Sequence, residues 1–435
     1  MVKRAVVLVG NTAAPYSRGL RIARTLVSAG YDVEIAAIAG DGLPELEPGD
    51  GWQLRRYRPS GPWARLAGVG HRSGRRSGLG GSAAAGGPGE ARRRPSGVRS
   101  RIVGLGAALR RWIFWPHTVR GWWATLARDL QPADLYHACG SLTVAAALAA
   151  RRRAPRGPAG RPAVVVYDAI DDVFESNNVL DMPRPLRAWH ARRETRWARS
   201  ADGVVTVNEA LADRLAARWR LSPAPSVVPN YPEPLATPAA PDLIRAELKL
   251  PATTRIVLFQ GRLGPRLGLD AAADAVLQVP AAALVLLGFG RGFEQEQLRD
   301  HDPRLAGRHF TIAARHPDEL LGWTAAADVA LVPLPPVSVN QRLSSPNKFW
   351  EALLAGTPVV VPAALTYMAG IVAERDLGIV AASAQAADLA AGIAACLDRL
   401  ASDPGWRDRI RATAATDYSW PVAARTYRAL VDRLA

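Results

Sequence analysis

Lysine is almost missing from this chain. Only Lys3, Lys249 and Lys348 occur among 435 residues, although lysine and arginine together number 55. Positive charge is therefore carried by arginine, whose guanidinium stays protonated at any pH a protein normally meets. Cysteine is equally scarce. Cys139 and Cys396 stand far apart, with neither metal-site nor redox spacing, so a reducing cytoplasm is expected. No apolar run approaches the ~20 residues needed to span a bilayer. The apolar stretch in "MVKRAVVLVGN" is too short for a secretion signal. The first strand-to-helix turn, "VGNTAAPYSRG", lacks G-x-G-x-x-G, and no Walker P-loop occurs anywhere. Dehydrogenase and P-loop ATPase chemistry thus lose their main support.

What is present is unevenly spread. Residues 51 to 120 hold fifteen arginines and one acid, Glu90, which gives 15 − 1 = +14 of the net +16 and leaves the remainder at +2. A nucleic-acid binder would usually distribute such charge over its domains, so no nucleic-acid partner is expected, and a nucleic-acid-binding protein working through this Arg-rich segment stays as a distant alternative. Residues 59–100 are rich in Gly, Arg, Ser and Ala and read as a largely disordered insert. "RRWIFWPHTVRGWW" (110–123) mixes Trp112, Phe114, Trp115, Trp122 and Trp123 with Arg110, Arg111 and Arg120. Two readings stand: an element seated in the headgroup zone of an anionic membrane, or an amphipathic helix whose tryptophans pack on a sheet.

Elsewhere short apolar runs alternate with helical patterns. "AVVLVG", "YDVEIAAIA", "DLYHA", "AVVVYDA" and "GVVTVN" read as buried strands. "RIVLFQG", "AALVLLGFG", "HFTIAA", "DVALVPL" and "PVVVPA" form a second series after the proline-rich "SVVPNYPEPLATPAAPD". The pattern predicts an α/β protein: two doubly wound Rossmann-like domains facing across a cleft, with ligands outside the carboxyl ends of the strands. The first domain is expected over 1–228 and the second over 235–418. In the first strand-to-helix turn Asn11, Ser17 and Arg18 could line a polar site, with Ser17 capping the helix. The alternative for Asn11 is ordinary loop polarity.

"SSPNKFWEALLAGTPVVV" (344–361) carries a lysine and a glutamate three residues apart on an otherwise apolar helix. Ser345 suits the N-cap, Pro346 the first helical position, and Gly356 the stop. An N-terminus with Ser345 and Asn347 at the end of strand "DVALVPL" favours a phosphate. Lys348 in the first turn opposes the helix dipole unless an anion is also there. Glu351, one turn on, can accept hydrogen bonds from ribose hydroxyls. The alternative is a surface salt bridge, against which Phe349, Trp350, Leu353 and Leu354 argue.

This stretch resembles the nucleotide-sugar signature of the retaining GT-B glycosyltransferases of family 4. "FQGRLGPRLGLD" is similar to that family's Gly-Arg loop, "SVVPN" to its interdomain segment, and "YSWPVAARTYRALV" to its closing helix, which implies that 419–435 form a helix crossing back to the first domain. The resemblance implies that Glu351 binds the ribose and Arg262 the diphosphate. It also implies that Gly288 and Gly290 let the nucleotide approach the backbone, and that His316 sits where the base rests. The sequence departs from the family pattern three times. Leu343 stands where the first glutamate of the pair would fall, Leu267 where a lysine would (Arg266 or Lys348 must replace it), and Ile170 where a first-domain histidine would. "VVVYDAIDDVFES" is expected to expose Asp168, Asp171 and Asp172 at the cleft edge. Asp171 is the candidate catalytic carboxylate and an acidic helix cap the alternative.

The implied enzyme takes a UDP- or GDP-sugar and a glycan or lipid-linked acceptor in cell-envelope or polysaccharide biosynthesis. It needs no cofactor and no metal, because Arg262, Arg266, Lys348 and a helix N-terminus can meet the leaving diphosphate. No D-x-D pair stands at a strand end in the second half. A cytoplasmic protein, peripheral on the inner face of the plasma membrane, is the expected setting. A catalytically silent GT-B binding protein is the competing reading, favoured by the three departures.

Overall fold

The computed structural model describes residues 2–14, 16–61, 120–176, 179–234, 242–290, 292–305 and 307–434. Most of the 59–100 insert, and Arg110, Arg111, Trp112, Phe114 and Trp115, lie outside the described residues.

The apolar runs become parallel strands because side chains of that kind can be buried on both faces of a sheet. In the first sheet lie β1 (Lys3–Val9), β2 (Tyr31–Ile38), β3 (Leu46–Pro48), β4 (Trp52–Tyr57), β5 (Leu135–Cys139), β6 (Val164–Ala169), β7 (Gly203–Thr206) and β8 (Ser226–Val227). Their order is β3-β4-β2-β1-β5-β6-β7-β8. β1 pairs in parallel with β2 and β5, β5 with β6, and β2 with β4, while β3 runs antiparallel at one edge. Ala5, Val6, Val7 and Leu8 at the centre are wholly buried.

The second sheet comprises β9 (Arg255–Arg262), β10 (Ala282–Phe289), β11 (His309–Ala313), β12 (Val329–Leu331), β13 (Val359–Pro362) and β14 (Gly378–Ala381). Its order is β11-β10-β9-β12-β13-β14 and every pairing is parallel. Counted from β9 this is the 3-2-1-4-5-6 order of doubly wound nucleotide-binding sheets. Its direction reverses between β9 and β12, where such sheets take their ligand.

Two compact units emerge from the contacts. One comprises Met1–Asp168, Asn178–Val204 and Leu434–Ala435; the other Ala169–Asn177 and Val205–Arg433. The short segment that follows β6 is therefore grouped with the second unit.

Helix boundaries differ locally from the sequence reading. The first helix spans Ser17–Ser28 and buries Ile22, Ala23 and Leu26, but Tyr16 is its N-cap residue and no side chain among the described residues caps it. Ser17 is thus already inside the helix. Gly30, at φ +84°, closes the helix as expected.

The tryptophans at 122 and 123 settle into the first unit. Trp122 is wholly buried and donates its indole N–H to the Ala37 carbonyl at 3.0 Å. Trp123 donates to Leu142 O at 2.6 Å and meets Trp197 edge-on, with ring centroids 6.0 Å apart. Both indoles are satisfied inside the protein, so for these two the sheet-packing reading holds. No described helix is long and apolar enough to cross a membrane.

Candidate active site

The residues singled out for the donor converge on the carboxyl-terminal edge of the second sheet. Arg262 ends β9, Gly288 and Gly290 end β10, His316 follows β11, and the helix bearing Lys348 and Glu351 follows β12. Three positions here need glycine. Gly261 needs it for its backbone, at φ +112°, since a Cβ there would only touch Lys348 at ordinary contact distance, 3.7 Å from its Nζ. At Gly288 a Cβ would come within 2.6 Å of the Gly261 carbonyl. At Gly290, φ +108°, it would press on Arg262 Cγ at 3.1 Å. The β9 and β10 loops therefore lie against each other with Arg262 at their rim. Arg262 and Arg266 are both exposed, and Arg266 takes a left-handed φ of +65°. His316 is exposed and caps the Pro317–Ala325 helix, its Nδ1 accepting from the Asp318 N–H at 3.4 Å.

The helix after β12 spans Asn347–Leu354, with Pro346 at the N-cap and no capping side chain among the described residues. Ser345, expected to cap it, is committed elsewhere: its carbonyl accepts the Trp350 indole at 3.2 Å, and its Oγ lies 3.4 Å from Asn208 Nδ2. Asn347 instead pairs its side-chain oxygen with the Asn230 amide. At the other end Gly356 (φ +73°) donates to Leu353 O at 3.0 Å and Thr357 to Ala352 O at 2.9 Å. These two bonds form the Schellman stop the glycine promised.

Lys348 and Glu351 are both partly buried. The Lys348 ammonium lies 3.5 Å from the centroid of the Phe259 ring. Burial pushes its pKa down to about 7, and Arg262 adds to the drop while Glu351 opposes it. Glu351 accepts from Gln260 Nε2 at 2.5 Å, and Gln260 Oε1 accepts from Thr324 Oγ1 at 2.7 Å. This relay fixes the carboxylate beside a lysine that burial leaves short of countercharge. An anion at this edge would restore it.

The three aspartates at and just beyond the end of β6 part company. Asp168, expected to be exposed, is wholly buried in the first unit. Arg18 grips it with Nε at 2.6 Å and a second nitrogen at 2.9 Å, and His137 Nε2 lies at 3.2 Å. Burial alone would raise the Asp168 pKa, but Arg18 and the His137 hydrogen bond more than offset it and hold the carboxyl below its usual range. Arg18, expected to line a ligand loop, is thus a core residue. His137, Cys139 and Asp168 offer atoms within 4.8 Å of one another. Because the guanidinium already covers both carboxylate oxygens, this is an ion-paired core cluster rather than a cation site. Asn11 is exposed and folds its own loop, its Oδ1 accepting from Ala13 N at 2.8 Å.

Asp172 is also buried, paired with Arg214 at 2.8 Å and with Arg218. Only Asp171 keeps an exposed side chain. The protein crowded around it raises its pKa, the Asn340 amide opposes the rise, and Asp172 adds to it. Asp300 and Asp302 do make a D-x-D pair, but before β11 rather than at its carboxyl end. Asp300 binds His309 at 2.7 Å and Asp302 binds Arg304.

Four residues escaped the sequence reading: Phe259, Gln260, Gly261 and Asn340. The first three were legible in principle, because a glutamine and a glycine interrupt the apolar run "RIVLFQGR" at the strand end. Asn340 has no local signal at all.

Comparison with known proteins agrees with this geometry. Residues 254–399 match the family model described as "Glycosyl transferases group 1", and residues 82–231 match "Glycosyltransferase Family 4". No curated protein matches the chain by sequence. Among solved structures, sucrose-phosphate synthase from Thermosynechococcus elongatus superposes with a TM-score of 0.65 at 18% identity, over 99% of each chain. HepE of Anabaena in complex with UDP-glucose gives 0.65 at 14% identity, over 98% of this chain and 99% of that one. WaaG, a glycosyltransferase involved in lipopolysaccharide biosynthesis, gives 0.57 at 15% identity, over 97% and 98%.

Proposed function

We propose, since this chain belongs to the GT-B glycosyltransferases of family 4, that it moves a hexose with retention from a UDP- or GDP-sugar to a glycan or lipid-linked acceptor. The observation that carries this reading is the grouping of Lys348, Glu351 and Arg262 at the reversal point of the second sheet. Glu351, steadied by Gln260, accepts the ribose hydroxyls. Arg262, Arg266, Lys348 and the Asn347–Leu354 helix N-terminus meet the diphosphate and the charge it gains on leaving. The acceptor hydroxyl oxygen bonds to the anomeric carbon as the bond to the diphosphate breaks. Its proton passes to a departing phosphate oxygen on the same face. Asp171 offsets the positive charge of the sugar or accepts a hydrogen bond from one of its hydroxyls.

The UDP-glucose bound by HepE favours a uridine donor, and the lipopolysaccharide role of WaaG favours an envelope acceptor. The cationic side chains answer the leaving group directly, so turnover is expected to survive excess EDTA. A contact with an anionic membrane on its cytoplasmic side fits the arginine-rich tract. It also fits the Arg184–Ser200 helix, which exposes 43% of Trp189 beside Arg192, Arg193 and Arg196.

A thermal-shift panel of UDP-, GDP-, ADP- and dTDP-sugars tests the donor, since a ligand bound to the native state raises the melting temperature. Hydrolysis of the stabilising donor by the purified protein separates an enzyme from a silent binding protein. A shift without hydrolysis or transfer would overturn the catalytic reading.

A further inference from the structure

Asp171 is held by one side chain from a segment 169 residues away in sequence. Asn340 Oδ1 accepts the Asp172 backbone N–H at 2.8 Å, and Asn340 Nδ2 donates to Asp171 Oδ1 at 3.0 Å. The amide has one orientation that serves both partners, because a backbone N–H needs an acceptor and a carboxylate needs a donor. Asn340 is itself fixed. It lies on the single turn Val339–Arg342, capped by Ser338, whose Oγ accepts from Gln341 N at 3.2 Å. Three residues later the Leu343 carbonyl accepts from Asn208 Nδ2 at 2.8 Å. The same stretch runs on into the helix that carries Lys348.

We propose that Asn340 is a positioning residue for the transfer reaction, orienting the Asp171 carboxylate and joining it mechanically to the donor-binding helix. The inference rests on the catalytic reading of Asp171 given above. Charge around Asp171 is otherwise set by Asp172, which Arg214 and Arg218 of the Glu209–Trp219 helix neutralise. Glu175 on the following turn and Arg342 beside Asn340 are the further charged neighbours in sequence. Asparagine is the size that reaches both partners. Alanine loses both bonds. Aspartate keeps the acceptor but sets a like charge against Asp171.

The test uses the full chain with UDP-glucose, and GDP-mannose as the second donor. Asn340→Ala is expected to leave the donor Kd within about twofold while hydrolytic kcat falls about ten- to a hundredfold, the cost of a misplaced group. The Asp171 carboxyl, followed by carbon-13 NMR and assigned with Asp171→Asn, should titrate at higher pH in Asn340→Ala and higher again in Asn340→Asp. An unmoved titration overturns the positioning role whether or not Asp171 is catalytic. Full activity in Asp171→Asn overturns the catalytic reading, even if the titration has moved, and the positioning role with it. Loss of donor binding in Asn340→Ala, with the melting temperature retained, overturns the inference by assigning Asn340 to the donor instead.

Discussion

Donor binding should take up a proton, and Lys348 is where that proton goes. In the free protein burial holds this amine to a pKa of about 7, below the ordinary 10.5. A bound diphosphate supplies the countercharge and keeps it protonated. The diphosphate of a sugar nucleotide has no proton of its own to lose between pH 6 and 8.5, so the linkage belongs to the protein. Above the midpoint apparent affinity falls about tenfold per pH unit, which amounts to roughly 30-fold, or about 2 kcal/mol, from pH 6 to pH 8.5. Calorimetry in buffers of different ionisation enthalpy should report almost no proton uptake at pH 6 and nearly one proton at pH 8.5. Lys348→Arg, whose charge does not titrate, should flatten both curves. The free protein gives a check of opposite sign. Because the lysine pKa is lower folded than unfolded, the unfolded chain binds more protons between about pH 7 and 10.5. This residue's contribution to stability therefore rises with pH across that window and is least favourable below it. Wild-type affinity that stays flat from pH 6 to 8.5 would refute the reasoning.

Glu351→Ala is expected to abolish measurable donor binding in calorimetry while the melting temperature drops only slightly, the loss of one hydrogen bond to Gln260 costing about 1 kcal/mol. Arg262→Ala should lower kcat more than it raises the donor Kd, because the charge it meets grows in the transition state; a pure affinity loss would mark it as a ground-state contact. Arg18→Met leaves Asp168 buried without its main partner and should cost about 3–5 kcal/mol in a denaturant melt. Asp168 is held below the usual carboxylate range, so its share of stability is present above that range and lost as pH falls through the lowered pKa. Asp168→Asn should remove that acid-side loss. Trp122→Ala should destabilise the fold by about 3–5 kcal/mol, whereas Trp189→Ala should leave the melt unchanged and weaken sedimentation with anionic vesicles. Equal partitioning into neutral vesicles would count against the membrane contact.

Most of the second sheet was legible because its strands are continuous apolar runs ended by glycine or proline. The Asn347–Leu354 helix was legible from an apolar face broken by two charges. Its start was not, since Pro346 holds the N-cap position and the Ser345 hydroxyl faces Asn208 from 137 residues earlier, a tertiary contact that outranks local capping preference. Asp168 and Arg18 were placed on the surface because charged residues usually are. Their pairing spans 150 residues, and nothing local to either one announces it. Asn340 failed to register for the same reason. A helix-propensity argument sees an ordinary polar residue there, while its two hydrogen bonds depend on a loop that comes earlier in the chain.

The near absence of lysine makes the site chemically addressable. Amine-selective reagents have three side-chain targets in this chain. Lys249 is exposed and Lys3 stands over the Tyr31 ring at 5.5 Å. Burial brings the Lys348 amine to about half unprotonated near pH 7 and further toward the free amine by pH 8. A mild acylating or reductive-alkylating reagent at neutral pH should therefore mark Lys348, and a saturating sugar nucleotide should shield it. Digestion with a lysine-specific protease yields so few fragments that the modified site reads out as a single missed cut. The scarcity of one amino acid thus turns occupancy of the donor site into something countable by mass spectrometry, without any engineered label.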